Sequence, residues 1–215
     1  MGFLMNRHLR RQADTVIVLD FETTGLSPDH GDRAIEIGAL RVENGRITDR
    51  FQQLMNPGRR INSFIEGYTG ITNAMLCEAA TCTEVMAKFC DFIEDFDLVA
   101  HNASFDRRFL DAELQQVGRS YTGEFACSML VSRRVYPEAP SHKLGTLVAY
   151  RGLPVTGAFH RALADAEMTT HLWLQMLADL SDRHCMEEIP FSLMQALSRV
   201  PRASAPAFLL SLIHI

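Results

Sequence analysis

The chain has no basic excess: 21 Lys and Arg stand against 26 Asp and Glu, a formal charge of -5. Proteins that coat nucleic acid through a broad basic surface carry the opposite balance, so that class is excluded, while local use of a strand stays open. Cysteine is scarce and odd in number, and Cys77, Cys82, Cys90, Cys127 and Cys185 show no paired Cys-x-x-Cys spacing. Neither a zinc site nor a disulfide framework is supported, and a reducing, cytoplasmic setting is expected. No apolar run approaches the roughly 20 residues of a membrane span. The opening stretch to Arg11 is too poor in apolar residues for a signal peptide, and Asn6 stands where a myristoylation signal needs Ser or Thr. What remains is ordinary globular composition, 47% hydrophobic and 22% charged over 215 residues, enough for one ample core.

The chain is organised around Val16-Ile-Val-Leu-Asp20-Phe-Glu22-Thr-Thr-Gly-Leu26, an apolar run that delivers two carboxylates and then breaks. Side chains alternate along a strand, so Asp20 and Glu22 share one face and Phe21 anchors the other. Two like charges so close disfavour each other's ionisation. A divalent cation bound by hard oxygen ligands resolves this, and so does a shared proton.

Further strands are predicted over Ala34 to Val42 and Arg46 to Leu54, joined at Asn44-Gly45, whose tolerance of positive φ favours a hairpin. The first three strands therefore form a meander. A short helix and loop are expected within Ser63 to Thr72. Thr81-x-x-Glu84 is a capping-box pattern ahead of Val85, Phe89, Phe92 and Ile93 at helical spacing, so a helix runs from there to about Phe96. Leu98 to Ala100 reads as a buried strand, and His101 to Asp106 as the turn into a helix reaching about Val117. A strand at Phe125 to Cys127 and helices at Met129 to Tyr136 and Leu144 to Arg151 follow. A long helix starts within Phe159 to Asp165 and continues through Leu180. Prolines 190, 201 and 206 then divide a short helix, Phe191 to Leu197, from a linker and an apolar end, Phe208 to Ile215. This order points to an α/β fold with a mixed sheet. The domain is placed at residues 13–182, between an N-terminal extension 1–12 and a C-terminal extension 183–215 that is flexible or partner-binding.

Three acidic clusters carry the chemistry: Asp20 with Glu22, Asp106 at a strand-to-helix turn, and Asp165 preceded by His160. A single Asp at such a turn is more often a helix cap than a ligand, and His160 alone reads as a loop or helix-start residue. Taken together, Asp-x-Glu-Thr-Thr-Gly-Leu, His-Asn-Ala-x-Phe-Asp and His-x-x-x-x-Asp-Ala, in this order, resemble the three motifs of the DEDDh 3′-to-5′ exonucleases. That family includes the proofreading subunit of the bacterial replicative polymerase and ribonuclease T. The tyrosine branch of the family has Tyr-x-x-x-Asp, and Arg161 at that place favours the histidine branch.

The resemblance implies a ribonuclease-H-like three-layer fold with a mixed five-stranded sheet whose second strand is antiparallel. It also implies two-metal hydrolysis of a phosphodiester. Asp20, Glu22 and Asp165 would hold one ion, with Asp20 bridging to a second that Asp106 approaches. Two Mg²⁺ ions are expected, with Mn²⁺ substituting. His160 would take the proton of the attacking water, since an imidazole of ordinary pKa about 6.5 suits that transfer. Residues five apart on a helix are rotated by about 140°, so His160 must stand off the helix that carries Asp165. Backbone at Phe21 to Thr23 would contact the terminal nucleotide and Leu26 would pack on its base, with Asn102 helping to hold the strand. The bland alternatives are core packing for Leu26 and Phe105, strand-end hydrogen bonding for Asn102, and surface or structural roles for His142, His171 and the paired arginines.

The leading expectation is a metal-dependent 3′-to-5′ exonuclease that releases nucleoside 5′-monophosphates from single-stranded ends, DNA before RNA. Association with a polymerase or with itself is open, and no membrane partner is expected. A non-catalytic nucleic-acid-binding or scaffold module is the rival of another class, which an intact acid set disfavours.

Overall fold

The computed structural model describes residues 11–155 and 160–211. The expectations for residues 1–10, for Phe159 and for the last four residues fall outside them. Five strands, β1 (Val16–Thr23), β2 (Ala34–Glu43), β3 (Arg46–Leu54), β4 (Leu98–Ala100) and β5 (Phe125–Cys127), form one sheet in the order β3-β2-β1-β4-β5. β2 runs antiparallel to β1 and β3, while β4 is parallel to β1 and to β5. The meander closes at Asn44 and Gly45, both at positive φ, as a two-residue hairpin requires.

Alternation along β1 divides the interior. Val16 and Val18 enter a core with α5 (Ser128–Val135), α6 (Leu144–Arg151) and α7 (Ala162–His184). Ile17, Leu19 and Phe21 enter a second core with α3 (Cys82–Ile93) and α4 (Ser104–Gln116). Asp20 and Glu22 continue the even-numbered series and so emerge on the side of α7, at the end of the strand. Phe21 is buried edge-on against Phe89, with ring centroids 6.4 Å apart.

The capping box at Thr81 and Glu84 is formed in full, with Thr81 Oγ1 accepting from the Glu84 N–H at 3.2 Å and Glu84 Oε2 accepting from the Thr81 N–H at 2.9 Å. The helix ends at Ile93, short of Phe96, because Glu94 takes φ +46 and leaves the helical region. Within Ser63 to Glu78 there are two short helices, α1 (Ser63–Thr69) and α2 (Asn73–Glu78), separated at left-handed Gly70 and capped by Asn62 and Thr72.

The short helix expected at Phe191 to Leu197 is present, and a second one follows where the linker was placed. α8 (Phe191–Arg199) places Phe191, Met194 and Leu197 in the same core as Trp173, and α9 (Ala205–Ser211) adds Ala205 and Leu209. Pro190 caps α8 and Pro206 lies in the first turn of α9, a place where the missing N–H costs nothing. The division drawn at residue 182 therefore separates no core from another. Gln12 and Ala13, ahead of β1, are tied in too: Trp173 Nε1–H donates to the Ala13 carbonyl at 2.7 Å, and Gln12 bridges to Pro190. All five cysteines are free. Among the described residues no helix is long and apolar enough to cross a membrane.

Candidate active site

Asp20, Glu22, Asp106, Asp165 and His160 line one cleft of about 740 Å³. β1 supplies the first two. Asp106 is in the first turn of α4, buried, with its Oδ1 accepting the Phe21 N–H at 3.2 Å. Asp165 is in the first turn of α7, which crosses the sheet over Gly38, the residue paired with Asp20 in the neighbouring strand. One ligand atom each from Glu22, His160 and Asp165 lies within 4.8 Å of the others.

Burial perturbs all four of these carboxylates, and for three of them neighbouring charge adds to it. Asp20 is pushed well above the usual carboxylate range by desolvation, then by Asp106, Glu22, Asp165 and Glu36. Glu22 is raised to about 8, again by burial first and then by Asp165 and Glu36, with Arg161 opposing. Burial raises Asp106 to about 7 against the pull of backbone N–H groups, and burial also raises Asp165. Four hard oxygen donors that resist ionisation suit divalent cations, whose charge would reverse the penalty. The Asp165 carboxylate shows the fit atom by atom. Its Oδ2 accepts the His160 N–H at 3.1 Å, whereas its Oδ1 is buried with no hydrogen-bond partner among the described residues.

His160 stands two residues ahead of α7 in a left-handed conformation, φ +64, which frees the imidazole from the helix face. Its ring lies on Tyr68 with centroids 3.8 Å apart, and Tyr68 is itself stacked on Phe64 at 5.9 Å, one turn earlier on α1. Burial, then Glu22, Asp165 and Asp20, raise the Tyr68 phenol, which marks how near the ring lies to the acids. Neither aromatic was singled out in the sequence, although an exposed i, i+4 aromatic pair on a short helix is the available signal.

The opposite wall is the loop after β1. Leu26 is 78% exposed, so it is no core residue, and Phe64 across the cleft is 72% exposed. The loop is tied by Asp32, which accepts from the Ser27 N–H at 3.1 Å and from Arg59 at 2.7 Å. Thr23 lines the cleft and donates its hydroxyl to the Gly25 carbonyl at 2.6 Å. Asn102 also lines the cleft, at φ +68. Phe105 borders it while packing on Phe109, centroids 4.9 Å apart. His142 is structural, its Nε2 bonded to the Tyr136 carbonyl at 3.1 Å.

Residues 17–173 match the Exonuclease family model. The DNA polymerase III PolC-type proteins of Bacillus cereus and Bacillus subtilis are each 37% identical to this chain, over 79% and 82% of its length. The chain spans only 12% of the length of these relatives. Among solved structures, Exonuclease X in complex with 5′-overhanging duplex DNA is similar, with a TM-score of 0.66 at 26% identity, covering 85% of this chain and 99% of that one. The nuclease domain of 3′hExo, described as a DEDDh family member bound to rAMP, shares the fold, with a TM-score of 0.67 at 22% identity, covering 77% of this chain and 92% of that one. With the family model spanning most of its length and the three motifs meeting in one cleft, this chain belongs to the DEDDh 3′-to-5′ exonuclease family.

Proposed function

We propose that this protein hydrolyses the last phosphodiester of a single-stranded 3′ end and releases a nucleoside 5′-monophosphate, with DNA preferred and RNA the alternative. The observation that carries the reading is the convergence of Asp20, Glu22, Asp106, Asp165 and His160 in one cleft walled by exposed apolar side chains. Such walls suit unstacked bases, which find flat or apolar partners there.

The family depends on divalent metal, and Mg²⁺ is our choice, with Mn²⁺ in its place as a substitute. Asp20, Glu22 and Asp165 would hold one ion, and Asp20 and Asp106 a second. Bound there, the ions supply positive charge against the scissile phosphate and make water acidic enough to attack near neutral pH. The chain's own residues do the rest. An unprotonated ring nitrogen of His160 accepts the proton of the attacking water, within reach because the residue stands off α7. Leu26 and Phe64 hold the terminal base between them, and main chain at Phe21 to Thr23 together with Asn102 orients the sugar and phosphate.

Preference for DNA rests on the relatives, which are named as DNA polymerases, and on the Exonuclease X structure with duplex DNA. The same relatives extend the proposal to association with a polymerase. The rAMP in the 3′hExo structure keeps RNA as the second substrate to test. Matched DNA and RNA oligonucleotides with 3′-hydroxyl ends, single-stranded and as mismatched duplexes, are incubated with Mg²⁺ or Mn²⁺ and with Asp20→Ala as blank. Stepwise shortening from the 3′ end is expected. Failure to shorten any of them would remove the reading.

A further inference from the structure

Glu36 is an acid placed where another acid is least welcome. It lies on β2 directly opposite Glu22, fully buried, and its charge adds to the burden on Asp20, Glu22 and Asp165. Its oxygens are nevertheless fully engaged. They accept Arg161 Nε–H at 3.1 Å and Nη2–H at 2.8 Å, the Ala162 N–H at 3.0 Å and Gln52 Nε2–H at 2.9 Å. Four donors converge on one group, and an amide in its place would turn an NH₂ against some of them. The Ala162 N–H opens α7, so the carboxylate also sits at the positive end of that helix dipole. The position demands a carboxylate for reasons of geometry.

What this clamp holds is the residue next to His160. Arg161 is extended, φ -127 and ψ 121, while His160 before it is left-handed. A residue with a Cβ persists in that conformation only where its surroundings over-determine it. Three ties do so here. Asp165 accepts the His160 N–H, Tyr68 covers one face of the imidazole, and Glu36 pins the two residues that follow. Remove the third, and the peptide between His160 and α7 is free to turn, carrying the imidazole off Tyr68.

We infer that Glu36, acting through Arg161, is a positioning residue that sets the imidazole of His160 in the cleft for proton transfer. It touches neither substrate nor the reacting atoms. The inference rests on His160 as the proton acceptor of the proposed hydrolysis. Its structural half, where the imidazole sits, is measured without turnover.

The test uses Glu36→Gln and Arg161→Ala. Arg161 has a partly exposed side chain, 34%, so its truncation removes no core packing, and Gln52 and the Ala162 N–H still donate to Glu36, which keeps a second variant should Glu36→Gln fail to fold. With single-stranded DNA and Mg²⁺, kcat is expected to fall about tenfold to a hundredfold, a part of what a general base supplies. KM stays unchanged. In parallel, the His160 ring-proton resonances, assigned with His160→Gln, are expected to lose the displacement caused by the Tyr68 ring. Wild-type kcat in Arg161→Ala overturns the inference, and so do unmoved His160 resonances in that variant. If the wild-type protein shortens no strand, the nuclease reading fails, and the resonances alone then decide the clamp.

Discussion

Gly38 of β2 lies directly beneath Leu163 of α7, so close that a Cβ on the glycine would collide with the helix backbone. Gly38 is also the partner of Asp20 in the strand pairing. The first turn of α7, and with it Asp165, thus reaches Asp20 because one residue between them has no side chain. Gly38→Ala is expected to push the helix off the sheet, at a cost of about 1–3 kcal/mol in stability as for other overpacked sites. Nuclease activity falls with it. Urea unfolding alongside an oligonucleotide assay checks both, and unchanged turnover in a folded variant would contradict this account.

Asp20 is the most burdened acid, raised by burial and by four neighbouring carboxylates. Asp20→Asn is therefore expected to abolish turnover while making the metal-free protein more stable near neutral pH, since the amide carries no charge to desolvate. Thermal melting in EDTA reads the gain. A lower Tm than wild type under those conditions would show that the acids are not in conflict.

The same crowding gives stability a sign with pH. Glu22 is raised from its usual 4.5 to about 8, so the native state keeps a proton that the unfolded chain releases. That contribution is full below the unfolded value and is lost as pH rises through about 8. Without divalent ions, stability should decline across this interval. Added Mg²⁺ should raise Tm more at about pH 8 than at about pH 5, because ions bind the ionised carboxylates. An equal rise at both values would argue that these acids do not bind the ion.

Leu26 and Phe64 are exposed, and their replacement by Ala should leave stability within about 0.5 kcal/mol. Each loses one side of the base contact, so KM for a single-stranded oligonucleotide is expected to rise about tenfold, with kcat less affected. Full activity of the double variant would remove the base-holding wall.

Much of this molecule was legible from residue pattern. Alternation around Asp20, Phe21 and Glu22 placed both acids on one face, Asn44-Gly45 closed the meander, and helical rotation required His160 to stand off the helix of Asp165. These are local consequences of period and turn chemistry, and the structure contains each of them. The C-terminal prolines bounded α8 correctly, but whether the segment after them packs or hangs free is not written in local pattern, and only the core around Trp173 shows that α8 and α9 join it.

What the sequence by itself determined is the identity of the acids, their order and the face each strand residue takes, since these follow from backbone geometry over a few neighbours. Tertiary structure alone decided which further residues meet those acids at the cleft. Nothing local joins Gly38 to Leu163, Glu36 to Arg161 or Tyr68 to His160. These contacts exist because α7 packs on β1 and β2 while α1 packs through Ile65 on the cluster around Ile35 of β2, and burial sets both placements.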